Sequence, residues 1–184
     1  PLSSRAFTPS FFREDKKVKK EWDLICVSRN AEYKNLPLLF DVIRKLYDGG
    51  NMIKVLLVVP SCVSEARKKS FPIVDVYNKS FSVVEREYFT LLRLSPEIGF
   101  MGISPRTIAY FYQSSKVATL LSRSEGSSKA VHEALLCGLP IVCYKGIKGG
   151  SGDYLNDTNS VRYTSENQIA VSYTHLTLPT KLAV

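Results

Sequence analysis

Short apolar runs alternating with stretches of helical periodicity constrain this chain more than any other feature. The runs are DLICVS (Asp23–Ser28), IKVLLVVP (Ile53–Pro60), VATLLS (Val117–Ser122) and PIVCY (Pro140–Tyr144). They are rich in Val, Ile and Leu and lack polar alternation, which is the signature of strands buried on both faces. IGFMG (Ile98–Gly102) reads as a further short strand. After the first run, Pro37 suits the first turn of a helix, and Leu39, Val42, Ile43 and Leu46 then share one helical face until Asp48-Gly49-Gly50 stops it. Ser104-Pro105 supplies an N-cap and a first helical residue, with Ile108, Phe111 and Tyr112 as the buried face. Ser127 or Ser128 caps a third helix, striped by Ala130, Val131, Ala134 and Leu135 and stopped at Gly138. Between Ser61 and Leu94 the pattern is less regular; it holds a helix and an irregular stretch around Phe71-Pro72. The alternation predicts an α/β domain over residues 21–170, a parallel sheet with helices on both faces. Such sheets bind ligands beyond the carboxyl ends of their strands, here the loops after Ser28, Pro60, Gly102, Ser122 and Tyr144.

Composition narrows the class. With 184 residues, 45% of them hydrophobic and 23% charged, the chain can bury one sizeable core. No run approaches the roughly 20 apolar residues that span a bilayer, and Pro1–Ser10 has no signal-peptide pattern. The chain lacks an initiator Met, so residues 1–20 read as a linker or the end of a preceding domain. The net charge is +8, and the densest basic block, REDKKVKK (Arg13–Lys20), reads as solvated linker with a weak attraction for anionic lipid or phosphorylated ligands. No nucleic-acid motif accompanies the basic residues, so nucleic acid is disfavoured as a partner. Cys26, Cys62, Cys137 and Cys143 form no C-x-x-C pair and read as thiols of a reducing compartment; with only His132 and His175 in the chain, a His-based metal site is not expected. VSYTHLTLPT (Val171–Thr180) resembles a translated transposon-end adapter, so residues 171–184 are expected to be a non-native tail.

Two loops carry the chemistry. After the first strand, SRNAEYKN places Arg29 and Lys34 on either side of a strand-to-helix turn. Two cations beside a helix N-terminus make an anion site, because side-chain charge adds to free N–H groups and the helix dipole. A guanidinium can grip two phosphate oxygens, whereas an ammonium acts as a point charge. A solvated charge pair fits this loop alone as well. After the fourth strand, SEGSSKAVHEALLCGLPIV holds Glu125 and Glu133, separated by seven residues. Gly126, Ser127 and Ser128 allow backbone N–H groups to approach a ligand. Glu133 lies roughly 130° from the centre of the apolar stripe, at about 100° per residue, and so looks along the helix flank into the cleft. A carboxylate accepts two hydrogen bonds from a vicinal diol such as a ribose, with a phosphate then resting on the helix N-terminus opposite Arg29 and Lys34. The competing reading is a surface Lys129–Glu133 pair worth about 0.3 kcal/mol; the loop alone leaves both open. His132 reads as structural or as a surface residue. The Gly-rich GIKGGSGD (Gly146–Asp153) matches neither G-x-G-x-x-G nor the P-loop pattern and reads as a flexible loop at the cleft edge.

Taken in order, these segments resemble the donor-binding half of retaining GT-B glycosyltransferases, the glycosyl transferases group 1 family. VSRNAEYKN resembles that family's strand followed by an Arg and a Lys. IGFMG, SPRTIAYFYQSS and KVATLLSRSEG resemble its F-x-G strand, short helix and next strand. SEGSSKAVHEALLCGLPIV resembles its E-x7-E motif and the following E-A-x-x-C-G-x-P-V/I. The resemblance covers roughly residues 20–165, and the E-x7-E segment is its specific part.

The resemblance implies a Rossmann-like sheet forming one half of a GT-B fold, truncated at its C-terminus, with the acceptor domain lying before residue 1. Arg29 and Lys34 would neutralise the diphosphate leaving group, and Glu125 would touch the donor sugar near the reacting centre. Glu133 would hold the ribose hydroxyls. The backbone of Gly126, Ser127, Ser128, Lys129 and Ala130 would line the phosphate or sugar, and that of Gly102 and Ile103 would meet the base. No metal and no cofactor beyond the nucleotide-sugar donor is expected. The implied activity is transfer of a sugar to a growing glycan or lipid-linked saccharide, on the cytoplasmic side and at the inner face of the membrane, with the isolated fragment inactive. A nucleotide-sugar epimerase or hydrolase, or a non-catalytic nucleotide-sugar-binding module, would share these features. Two departures bear on the donor: Ser28 stands where the family often has Gly, and Ser127-Ser128 stand where it often has Phe-Gly.

Overall fold

The computed structural model describes residues 9–59, 71–94, 102–165, 168–171 and 173. Its elements are β1 (Trp22–Val27), α1 (Leu36–Asp48), β2 (Val55–Val59), α2 (Ile73–Ser80), α3 (Val83–Arg86), β3 (Phe89–Arg93), α4 (Pro105–Gln113), β4 (Ser115–Leu120), α5 (Lys129–Leu136), β5 (Ile141–Tyr144) and β6 (Ser160–Tyr163). Among the described residues the strands form one six-stranded sheet in the order β3-β2-β1-β4-β5-β6, with every neighbouring pair parallel. Strand order therefore reverses between β1 and β4, and the crevice beyond their carboxyl ends is where such sheets bind ligands.

Period-two alternation splits the core into two layers. Leu24 and Cys26 of β1, Val55, Leu57 and Val59 of β2, and Val117 of β4 face α1 and the aromatic group of Phe40, Phe81 and Phe89. Ile25, Leu56, Val58, Ala118, Ile141 and Cys143 face the other way, onto Ile108 and Tyr112 of α4 and Val131 and Ala134 of α5. The sheet is thus covered on both faces, as the doubly apolar runs predict.

Helix α1 begins after Asn35, whose φ of 52° is left-handed; Asn tolerates that region better than most residues. Leu36, Leu38, Leu39, Phe40, Val42, Ile43, Leu46 and Tyr47 are all buried, and each large apolar side chain contributes about 2 kcal/mol when fully removed from water. In α4, Ser104 accepts a hydrogen bond from Thr107 N–H at 3.2 Å, the expected N-cap. Its buried residues are Ile108, Ala109 and Tyr112, so Ala109 takes the place expected for Phe111, which is only partly buried.

Two expectations need correction or restriction, and one strand was not foreseen: β6 follows β5 at the sheet edge. The stretch Ser61–Leu94 ends in an edge strand, β3, as well as holding helices. The strand expected at Ile98–Gly102 lies outside the described residues except for Gly102, which is irregular with φ of 69°. Val171 and Tyr173 are helical; Tyr173 is fully buried, and its hydroxyl donates to Thr119 Oγ1 at 2.6 Å. Residues 174–184 lie outside the described residues. At the other end, the segment from Pro9 to Lys20 is irregular but anchored. Phe12 is buried beside Tyr112, and the Gln113 side-chain amide donates to the carbonyls of Phe11 and Arg13.

Candidate functional site

A cleft of about 430 Å³ opens beyond the carboxyl ends of β1 and β4, where the strand order reverses. Val27, Ser28, Arg29 and Lys34 line it from one side; Glu125, Ser127, Ser128, Lys129, Ala130 and Glu133 line it from the other. Ile103, Pro105 and Ile108 close its end with an apolar wall. The structure therefore gathers Arg29, Lys34, Ile103, Glu125, Ser127, Ser128, Lys129, Ala130 and Glu133 around one space. Gly102 and Gly126 lie beside it without lining it.

The two cations are held differently. Arg29 is exposed, and its Nη2 donates to Tyr33 Oη at 3.0 Å. Lys34 is largely buried and forms a short ion pair with Glu125 Oε1, which also accepts from Ser122 Oγ at 2.6 Å. Ser122 and Glu125 come from the loop after β4, and Lys34 from a short 3-10 turn, Glu32–Lys34, just before α1. A nearly buried ammonium needs a counter-charge, and Glu125 supplies it here.

At the other end of the motif, Glu133 projects from the second turn of α5, and its side chain is only 9% exposed. Burial pushes its carboxyl above the ordinary carboxylate range, and Lys129 opposes that shift. Lys129 Nζ lies 3.6 Å from Glu133 Oε1 and is itself mostly solvent-exposed. The start of α5 departs from expectation in one respect. Ser128 occupies the N-cap position, but its hydroxyl makes no capping bond; its own N–H instead donates to Ser151 Oγ at 2.8 Å. The N–H groups of Lys129 and Ala130 have no acceptor among the described residues, so they remain free for an anion in the cleft.

The Gly-rich loop, expected at the cleft edge, is hydrogen-bonded to the segment before α5. Glu125 N–H donates to Lys148 O at 2.9 Å, and Lys148 N–H donates to Arg123 O at 3.0 Å. A Cβ on Gly149 would lie 2.1 Å from the Glu125 carbonyl oxygen, and one on Gly150 would lie 2.7 Å from that of Gly126. Glycine is required at both positions by close backbone approach. Ser122, Gly149, Gly150 and Ser151 thus hold Glu125 and the α5 N-terminus in place. Asn30 was also missed by sequence reasoning; it is buried, and its amide donates to Phe71 O at 2.7 Å, tying the loop after β1 to the segment before α2. Only the paired glycines left any local signal.

The other marked residues have structural environments. His132 packs edge-on against Tyr154 at 4.3 Å, and burial lowers its pKa. Burial pushes the Cys137 and Cys143 thiols up to about 11 and Cys26 up to about 12, which makes them poor nucleophiles at neutral pH. Among the described residues, no group of three or more His, Cys, Asp or Glu side chains could hold a metal ion. No described helix is long and apolar enough to cross a membrane.

The family model for "Glycosyl transferases group 1" matches residues 8–170. No curated protein sequence matches the chain significantly. Among solved structures, the fold is similar to that of a pneumococcal O-GlcNAc transferase solved with UDP and GlcNAc, with a TM-score of 0.61 and 16% identity over 90% of this chain and 30% of that one. It is also similar to an α,α-trehalose 6-phosphate synthase from Burkholderia multivorans, with a TM-score of 0.62 and 15% identity over 85% of this chain and 35% of that one. The C-terminal domain of a glycosyl transferase group 1 family protein from Francisella tularensis aligns with 96% of this chain and 87% of its own length, at a TM-score of 0.58 and 16% identity. The chain spans about a third of the length of the first two, and it has the Rossmann-like α/β fold of one half of such enzymes.

Proposed function

Because the chain belongs to the glycosyl transferases group 1 family, we propose that it binds the nucleotide-diphosphate sugar donor of a glycosyltransferase that passes the sugar to a glycan or lipid-linked acceptor. The observation that carries the reading is the convergence of Arg29, Lys34, the start of α5 and Glu133 on one cleft at the strand-order reversal.

The chemistry follows from these groups. Cleavage of the bond between sugar and diphosphate builds positive charge at the anomeric carbon and negative charge on the leaving phosphate. Arg29, Lys34 and the free N–H groups of Lys129 and Ala130 stabilise the phosphate charge, and no metal is needed for that task. One such preorganised contact is worth about 3 kcal/mol of barrier. Glu133 accepts hydrogen bonds from both ribose hydroxyls, Ile103 and its neighbouring backbone lie against the base, and Glu125 meets the sugar. The exposed Arg13, Lys16 and Lys17 favour an anionic membrane surface as the setting for a lipid-linked acceptor.

Calorimetric titration of the chain with UDP, GDP and ADP tests the reading, with the matching nucleosides as controls. One nucleotide is expected to bind saturably. Glu133→Ala removes two charge-assisted hydrogen bonds, about 3 kcal/mol or roughly a hundredfold in Kd, for nucleotide and nucleoside alike. Arg29→Ala weakens only the diphosphate-bearing ligand. A folded chain that binds none of the three, or binding indifferent to both substitutions, overturns the proposal.

A further inference from the structure

The pair formed by Lys129 and Glu133 is asymmetric in a way that a surface ion pair is not. The Glu133 side chain is 9% exposed, whereas that of Lys129 is 61% exposed. Lys129 is the only cation within ion-pair distance of Glu133 among the described residues. The other titratable groups near Glu133 do not supply a counter-charge. Tyr112 faces it from α4, fully buried, and its hydroxyl has no partner among the described residues. Cys137, the C-cap of α5, is a thiol that supplies none either. Across the cleft, Lys34 is already committed to Glu125, and Arg29 is bonded to Tyr33. Burial favours the neutral acid at Glu133, and Lys129 works against that.

The protonation state matters because an ionised carboxylate accepts hydrogen bonds with both oxygens, while a protonated one turns one oxygen into a donor. A diol that presents two donors is matched only by the ionised form.

We propose that Lys129 is a positioning residue, whose ammonium keeps Glu133 ionised and oriented for the ribose diol and thereby sets the acid limit of nucleotide binding. The inference rests on the donor-site reading of the cleft and adds to it a role for the Lys129 side chain, as distinct from its backbone N–H. The sign is fixed by the charges. Without Lys129 the buried carboxyl holds its proton to higher pH, so binding is lost earlier as pH falls. At alkaline pH Glu133 is ionised in either protein, and the difference fades.

Two measurements on the full chain test this. The first follows the Glu133 carboxyl carbon by NMR through an acid titration, without ligand; Lys129→Met is expected to move its midpoint to higher pH, and Lys129→Arg to restore it. The second measures Kd for the nucleotide bound by the wild type, and for its nucleoside, from pH 5 to pH 8. Lys129→Met is expected to weaken both ligands at the acid end and to approach wild type at the alkaline end. In a Glu133→Gln background, Lys129→Met should leave the pH profile unchanged. An unmoved NMR midpoint overturns the inference. So does a loss that is uniform with pH and confined to the nucleotide, because that marks Lys129 as a direct phosphate contact. A wild type that binds no nucleotide overturns the donor-site reading, a result separable from the ligand-free NMR titration.

Discussion

Replacing Gly149 by Ala strikes the contact on which the geometry of Glu125 depends. Two costs add. The backbone at Gly149 has φ of 91°, and a side chain there costs roughly 1–2 kcal/mol. The new Cβ would also lie 2.1 Å from the Glu125 carbonyl oxygen and 2.9 Å from its carbonyl carbon. Ordinary contact needs about 3.5 Å, so the two strands of loop must part by more than about 1 Å, an overpacking cost of roughly 1–3 kcal/mol. That movement pulls on the bonds from Glu125 N–H to Lys148 O and from Lys148 N–H to Arg123 O. The expected destabilisation is about 4 kcal/mol, against a usual total of about 5–15 kcal/mol. Two controls separate the contributions. Gly50 has φ of 79°, and a Cβ there would meet nothing within 4 Å, so Gly50→Ala carries only the backbone cost. Gly126 has neither feature, so Gly126→Ala should change stability by less than about 0.5 kcal/mol. Urea unfolding followed by far-UV circular dichroism ranks the three. If Gly149→Ala proves no worse than Gly50→Ala, the close approach does not exist in solution and the clamp on Glu125 falls with it.

Other consequences concern the core. Cys26, Cys137 and Cys143 are at most 3% exposed, with thiols pushed up to about 12, 11 and 11; a thiol reagent at pH 8 should therefore label at most one cysteine in the native chain and all four in urea. Rapid labelling of two or more native thiols would contradict the packing. Tyr173→Phe removes the bond to Thr119 and should cost about 1 kcal/mol, a fall of roughly 2–4 °C in Tm. Tyr173→Ala should cost about 4 kcal/mol by emptying a fully buried site, and a chain ending at Ala170 should lose as much. Equal stability of the chains with and without residues 171–184 would show that Tyr173 does not pack there.

The central strands were legible because each is buried on both faces, which writes a continuous apolar run into the sequence. The two edge strands were not. Only Phe89 is fully buried in β3, and in β6 Val161 and Arg162 are half-buried between Ser160 and Tyr163; an edge strand needs no unbroken run of apolar residues. The same distinction divides the site. Arg29, Lys34, Glu125 and Glu133, which line one cleft, could be marked as candidates from the sequence, because each sits at a fixed offset from a strand end or within one helix. Their supports could not, since Ser151 reaches Ser128 across 23 residues and Asn30 reaches Phe71 across 41. Local pattern carries no information about such partners.

The pairing of Lys34 with Glu125 lies beyond spacing for the same reason, since 91 residues separate them, and it changes how the cleft must work. Their separate assignments, cation to phosphate and acid to sugar, treat the two as independent. In the structure they form one largely buried unit with Ser122, so neither charge acts alone. On the donor-site reading, a diphosphate arriving beside Lys34 meets an ammonium already balanced by a carboxylate. Its attraction must then come first from Arg29, which is exposed, and from the N–H groups of Lys129 and Ala130, which have no acceptor among the described residues. Lys34 can turn to the phosphate only as Glu125 finds another donor, and a sugar hydroxyl entering next to it supplies one. On the donor-site reading, phosphate and sugar are then recognised together. A nucleotide without its sugar leaves Glu125 to compete for Lys34, whereas the complete donor satisfies both partners at once.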